Sequence, residues 1–204
     1  MTTTAFQTVF DKAALISMNK RAVVAQTMSR NQTVRSVSRG GQVWRFDVKM
    51  PDGVPWIEMR GLIEAMDKAD RSTVGNVQIN RAGYNNWLGV YQGNCVGMTA
   101  NVTTGDTVTL ASVTSGTVAF KAGDFVQMGN NGHVYTVVTD VAYSGGATVT
   151  LNRPVLETAG TYNLITGPGN IVWSVICTDF PSWTINPGGY VSWSGSFKFN
   201  ENLV

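Results

Sequence analysis

A chain of 204 residues with a formal charge of +2, 14% charged and 43% hydrophobic, is long enough to bury a sizeable core in one large or two small domains. Its charged fraction falls well below the roughly 25% of ordinary soluble domains, and Gly, Thr, Val, Ser and Asn make up the difference, which is the composition of strands and tight turns. One histidine excludes a catalytic triad or a two-histidine metal site, and two cysteines, Cys95 and Cys177, are too few for a disulfide scaffold or a zinc centre.

The opening residues, MTTTAFQTVFDKAAL, lack the basic segment and continuous apolar run of a signal peptide. No stretch approaches the ~20 apolar residues of a membrane span. Synthesis in a reducing cytoplasm, with both cysteines as buried free thiols, is the expectation.

Residues 13–50 read as strands. Ala22–Met28 is β-branched and apolar, Val34–Arg39 follows, and Val43–Met50 alternates, with Trp44, Phe46, Val48 and Met50 on one face and Arg45, Asp47 and Lys49 on the other. That pattern predicts an antiparallel sheet covered on one side. The Gly40-Gly41 turn predicts a hairpin between the last two strands. Residues 1–50 hold eight basic residues, including Arg35, Arg39, Arg45 and Lys49, against Asp11 and Asp47. Their net +6, within a total of +2, leaves the remainder at −4. Such a basic face can meet nucleic acid, an acidic neighbouring subunit or water. The acidic 52–70 segment is one candidate for pairing between subunits.

Trp56, Met59, Ile63 and Met66 recur at helical spacing behind Pro55, with Leu62 beside them and charges on other faces, which predicts a single helix over 55–69. A strand at Thr73–Asn80 follows. Residues 81–98, with Tyr84, Trp87 and Tyr91, read as an aromatic crossover: exposed, these rings would anchor an interface, and buried, they would pack between modules. From Thr99 to Gly167 only six residues are charged, and strands at Thr107–Val113, Phe125–Met128, Val134–Val141, Ala147–Leu151 and Tyr162–Ile165 predict a small barrel or sandwich. Ile171–Thr178 and the alternating Tyr190–Asn200 resume the first texture. The second of these mirrors Trp44–Met50, as strands of one sheet would. The chain therefore divides into a β-rich host, residues 1–87 and 171–204, and a β-module inserted at 88–170.

The inserted module carries Lys121-Ala-Gly-Asp124, Val134-Tyr135 and Val149–Leu151, a pattern found in β-modules of tailed-bacteriophage structural proteins. With the strands of 13–50, the helix and the serine-alternating Gly189–Phe199, the chain resembles the distal tail proteins of long-tailed siphophages. The resemblance covers the whole chain in architecture and is strong in residues over parts of 119–156 and 171–199. It implies a mainly β fold: a tail-tube-like β-sandwich or split barrel with one α-helix, plus an inserted small barrel like the oligonucleotide/oligosaccharide-binding (OB) fold. It implies a structural virion protein at the tail tip, forming a homo-hexameric ring that joins the tail tube protein to the hub or tip protein, with genomic DNA passing through the lumen. No membrane partner, cofactor or catalytic role belongs to that reading.

The chemical alternatives are thin. Asp52 with Glu58, or Asp124 with Asp140, have only residue type in their favour as a hydrolytic pair. The Gly-Gly pairs lack the Gly-Lys-Ser/Thr of a phosphate loop, and His133 reads as an exposed turn residue. The inserted module offers Lys121 and Arg153 beside Phe120, Phe125, Tyr135, Tyr143 and Tyr162, at a net charge of −2 that works against phosphate. A monomeric binding module, with a sugar on Tyr135 or Tyr143, is one competing reading. Another tube subunit or tube-end connector is the other. The interface candidates are Arg35, Arg39, Arg45, Lys49, Tyr84, Trp87 and Tyr91.

Overall fold

The computed structural model describes residues 4–21, 24–38, 42–69, 73–79, 93, 97–111, 118–130, 132–142, 146–167 and 169–203. The fold is mainly β, and the chain divides into two compact units, residues 1–75 with 175–204, and residues 76–174.

The first unit is built on an antiparallel sheet. Its strands are β1 (Leu15–Asn19), β4 (Arg45–Lys49), β18 (Phe197–Glu201), β15 (Trp173–Asp179) and β6 (Val74–Val77), in the order β1-β4-β18-β15-β6. The alternation of β4 is realised: Phe46 and Val48 are buried while Arg45, Asp47 and Lys49 are exposed. β18 lies directly beside β4, pairing Phe197 with Val48 and Phe199 with Phe46, as the matching patterns of the two segments predict. The Tyr190–Asn200 run is two strands, because Gly195, at φ 102°, turns the chain where a side chain would be strained. Its first half, β17 (Tyr190–Ser194), lies between β16 (Ser182–Asn186) and β5 (Val54–Pro55) in a second, three-stranded sheet.

The unit contains two helices rather than one. α1 (Ala5–Lys12) starts on Thr4, whose Oγ1 accepts from the Gln7 N–H at 3.2 Å, as an N-cap should. Its buried Phe6, Val9 and Phe10 form one stripe. Phe6 meets Phe199 at 5.3 Å, and Phe10 meets Phe46 and Phe199 at 5.6 and 5.1 Å, so α1 covers the apolar face of the sheet. α2 (Trp56–Lys68) buries Met59, Leu62, Ile63 and Met66, with Pro55 as its N-cap residue rather than inside the first turn.

The expected hairpin across Gly40-Gly41 is not formed. β3 (Val34–Ser38) pairs with β2 (Val24–Met28) through a turn at 29–33, while β4 takes β1 and β18 as partners. Burial decides this: β4 has an apolar face to cover, and the two-sided polar β3 has none.

In the second unit, β7 (Thr99–Val102), β8 (Thr107–Ala111), β10 (Phe125–Met128), β11 (Val134–Thr136), β13 (Thr148–Thr150) and β14 (Gly160–Ile165) form one sheet, in the order β11-β10-β14-β7-β8-β13. Its two outer strands meet: Val137 bridges Leu151, the Val138 N–H donates to Thr150 O at 2.9 Å and the Asn152 N–H to Thr136 O at 3.0 Å. The sheet thus closes on itself around Ala100, Val108, Leu110, Phe120, Met128 and Tyr135. β9 (Val118–Phe120) and β12 (Val141–Ala142) pair separately. The Lys121–Asp124 segment is a tight turn: Gly123 takes φ 97°, and Asp124 Oδ2 accepts from the Lys121 N–H at 2.7 Å. Burial raises the pKa of the Asp124 carboxyl, opposed by that hydrogen bond.

Candidate assembly interface

Among the sequence-derived candidates, Arg45 and Lys49 alternate on the exposed face of β4 with Asp47 between them. Cross-strand register places Lys198 of β18 opposite Asp47, and Ser17 of β1 on its other side. The Lys198 ammonium donates to Asp179 at 2.9 Å, which together with that carboxylate's charge raises its pKa. The face is a mixed-charge surface with a shallow hollow of about 340 Å³ between Asn19, Arg45, Thr178 and Lys198. Alternating signs of this kind do not make the single-sign track that binds a phosphate backbone.

Arg35 is elsewhere. It sits exposed on β3 of the β2–β3 hairpin, which pairs with no other strand among the described residues. The hairpin turns tightly: Ser29 and Thr33 exchange a backbone bond of 2.9 Å, Ser29 Oγ accepts from the Thr33 N–H at 3.2 Å, and Gln32 takes φ 60°. Met28 and Val34 face each other across it, 72% and 58% exposed. A two-stranded hairpin with no covered face is marginally stable alone in water. Sequence reasoning singled out Arg35 but missed these two apolar neighbours, whose signal was an apolar residue at either end of the polar turn.

Arg39, Tyr84, Trp87 and Tyr91 lie outside the described residues, as do Cys95 and Tyr143. Cys177 is a buried free thiol.

A second exposed apolar area surrounds the start of α2. The Trp56 and Trp183 rings stack at 5.0 Å and 27°. Ile57 is 68% exposed, and Ile185, on the same face of the edge strand β16 as Trp183, is 49% exposed. Phe180, Pro181, Trp193 and Asp67 continue the surface around a small crevice of about 30 Å³.

The second unit contains a polar cluster rather than a ligand cleft. Glu157 Oε1 accepts from the His133 N–H at 2.7 Å and lies 3.1 Å from His133 Nδ1, while Oε2 accepts from the Tyr135 hydroxyl at 2.5 Å. Burial acts to raise the Glu157 pKa. The hydrogen bonds from His133 and Tyr135 outweigh it and hold the group below the ordinary glutamate value. Burial, reinforced by the bond to Glu157, pushes the Tyr135 hydroxyl up. Two expectations change here. His133 is half-buried against Glu157 rather than an exposed turn residue, and Tyr135, with Phe120 and Phe125, lies in the interior, which removes its ring as a sugar platform.

Among the described residues, no group of three or more His, Cys, Asp or Glu side chains is placed to hold a metal ion. No helix among them is long and apolar enough to cross a membrane. Compared with known proteins, the chain matches no family model and no curated sequence.

Proposed function

We propose that this protein is a structural virion protein of a tailed bacteriophage. In this reading it forms a ring, hexameric by the resemblance, at the distal end of the tail tube, joining the tube protein to the hub or tip protein while the genome passes through the lumen. The first unit takes the part of the tail-tube-like sandwich that builds the ring, and the second that of the inserted OB-like barrel. The role is geometric rather than catalytic.

The observation that carries the reading is the β2–β3 hairpin. It is ordered into five paired residues per strand, yet both faces are exposed and Met28 and Val34 stand in solvent. Burying one such side chain contributes about 1.5–3 kcal/mol, so a neighbouring subunit gives this element the cover its own chain does not. The low charged fraction and the open edges β1 and β16 support the same reading, since exposed strand edges are means of assembly.

The test is the mass of the purified protein in solution over a concentration series, followed by negative-stain imaging. A closed ring of about six subunits with a central hole is expected from cyclic symmetry. Open filaments would transfer the protein to the tube-subunit class, and a monomer that saturably binds a sugar or nucleic acid would overturn the assembly reading.

A further inference from the structure

The hairpin has a chemical counterpart on the same unit. The apolar pair Met28/Val34 is set among cations: Arg21, Arg30 and Arg35 are exposed, and no acidic residue occurs between Asp11 and Asp47. The stacked Trp56–Trp183 pair with Ile57 and Ile185 is an apolar surface set among acids. Glu58 follows Ile57, Glu64 lies two turns along the same helix face, and Asp67 lines the crevice beside Trp183. With Asp52 these four carboxylates outnumber Arg60 and Lys68, the basic residues of that segment. An apolar centre with a rim of one charge matches an apolar centre with a rim of the other, and opposite rims steer and orient association.

A glycine supplies the second observation. Gly61 sits inside α2, where glycine weakens a helix relative to alanine. A Cβ built there would meet nothing within 4 Å, so no contact within the chain requires its absence. Residues 57, 61 and 64 share one helix face, and Gly61 leaves a flat step between Ile57 and Glu64. A step of this kind admits the close approach of another backbone.

We infer that the Ile57–Gly61–Glu64 strip of α2, with Trp56, Trp183 and Ile185, is the seat for the β2–β3 hairpin of a second copy of this chain. The inference rests on the assembly reading above and names its contact. Donor and acceptor are different surfaces of one protein, so the contact is heterologous and closes into a ring or propagates, according to the rotation it imposes.

Two measurements test it. Met28→Cys and Ile57→Cys proteins, each with Cys95→Ser, are mixed under assembling conditions and oxidised with copper phenanthroline. The expected result is a disulfide-linked dimer several-fold more abundant in the mixture than with either variant alone. Gly61→Gln, which favours the helix, is expected to leave the melting temperature unchanged or higher and to lower the assembled fraction at least tenfold. If wild-type particles form while the mixture cross-links no better than the single variants, or if Gly61→Gln assembles normally, the hairpin seats elsewhere: this inference falls and the proposed function stands. If the wild-type chain forms no particle at any concentration and the mixture gives no cross-link, both fall together.

Discussion

Glu157 receives the Tyr135 hydroxyl on one carboxylate oxygen at 2.5 Å and the His133 backbone N–H on the other at 2.7 Å. The Tyr135 oxygen accepts in turn from the Leu156 N–H at 2.9 Å. A carboxylate thus fastens the segment after Arg153 to β11, and the fastening depends on its charge.

The folded-state pKa of Glu157 lies below the ordinary value of 4.5. Its contribution is therefore complete above about pH 4.5 and is lost as the pH falls through the depressed folded value. Asp124, whose pKa is raised, acts with the opposite sign, favouring the fold as it protonates. Comparing wild type with Glu157→Gln isolates the first effect. The variant is expected to be destabilised at pH 7 by about 1–3 kcal/mol, with the gap narrowing below pH 4.5. Calorimetric melts from pH 7 to pH 3 check this, and a gap independent of pH would refute it.

Phe10 is buried between Phe46 and Phe199. Phe10→Ala is expected to cost about 3–5 kcal/mol, the range for emptying an aromatic site in a core. Chemical denaturation followed by tryptophan fluorescence measures it. A loss under 1 kcal/mol would mean that α1 is not part of the cooperative core.

At the start of the same helix, Thr4→Ala removes the acceptor of the Gln7 N–H and is expected to cost about 0.5–2 kcal/mol. Thr4→Ser keeps the oxygen and restores most of it. Equal losses in the two variants would show that the methyl group, and not the cap, matters.

Arg35 is exposed on a hairpin with no neighbouring strand, so Arg35→Glu is expected to leave the melting temperature within error. Self-association is expected to weaken and to become less sensitive to salt, because rim charges act mainly through screened, long-range attraction. Sedimentation velocity at 50 and 500 mM salt reads both effects, and unchanged association would remove Arg35 from the interface.

How far the sequence could be read depended on whether each element buries one face. β4 and β18 alternate because one side meets α1, and their pairing follows from that pattern. α1 itself was overlooked, although Thr4 with Gln7 three residues on, and Phe6, Val9, Phe10 and Ala13 at helical spacing, spell it out; the segment had been read only as a failed signal peptide. β16 gives no such sign, since it is an edge strand whose residues are mostly exposed. Gly40-Gly41 suggested the wrong hairpin partner because a turn motif reports that the chain reverses, not which strand has an apolar face to cover. For the candidate surface, the basic bias of the first fifty residues was visible in the sequence. The Trp56–Trp183 stack was not, because it joins residues 127 positions apart.

The strands β6 and β15, by which the chain leaves the first unit and returns to it, are neighbours in one sheet. Adjacent strands lie about 5 Å apart, so the intervening ninety-odd residues begin and end at almost the same place. A segment held in that way acts on the rest of the chain as a short loop would, because closing its ends costs entropy that grows only logarithmically with length. The host sheet is therefore indifferent to what is threaded between the two strands, provided that the insert folds with its ends together. Evolution can exchange, enlarge or delete that cargo while the surfaces that build the particle stay under a separate selection.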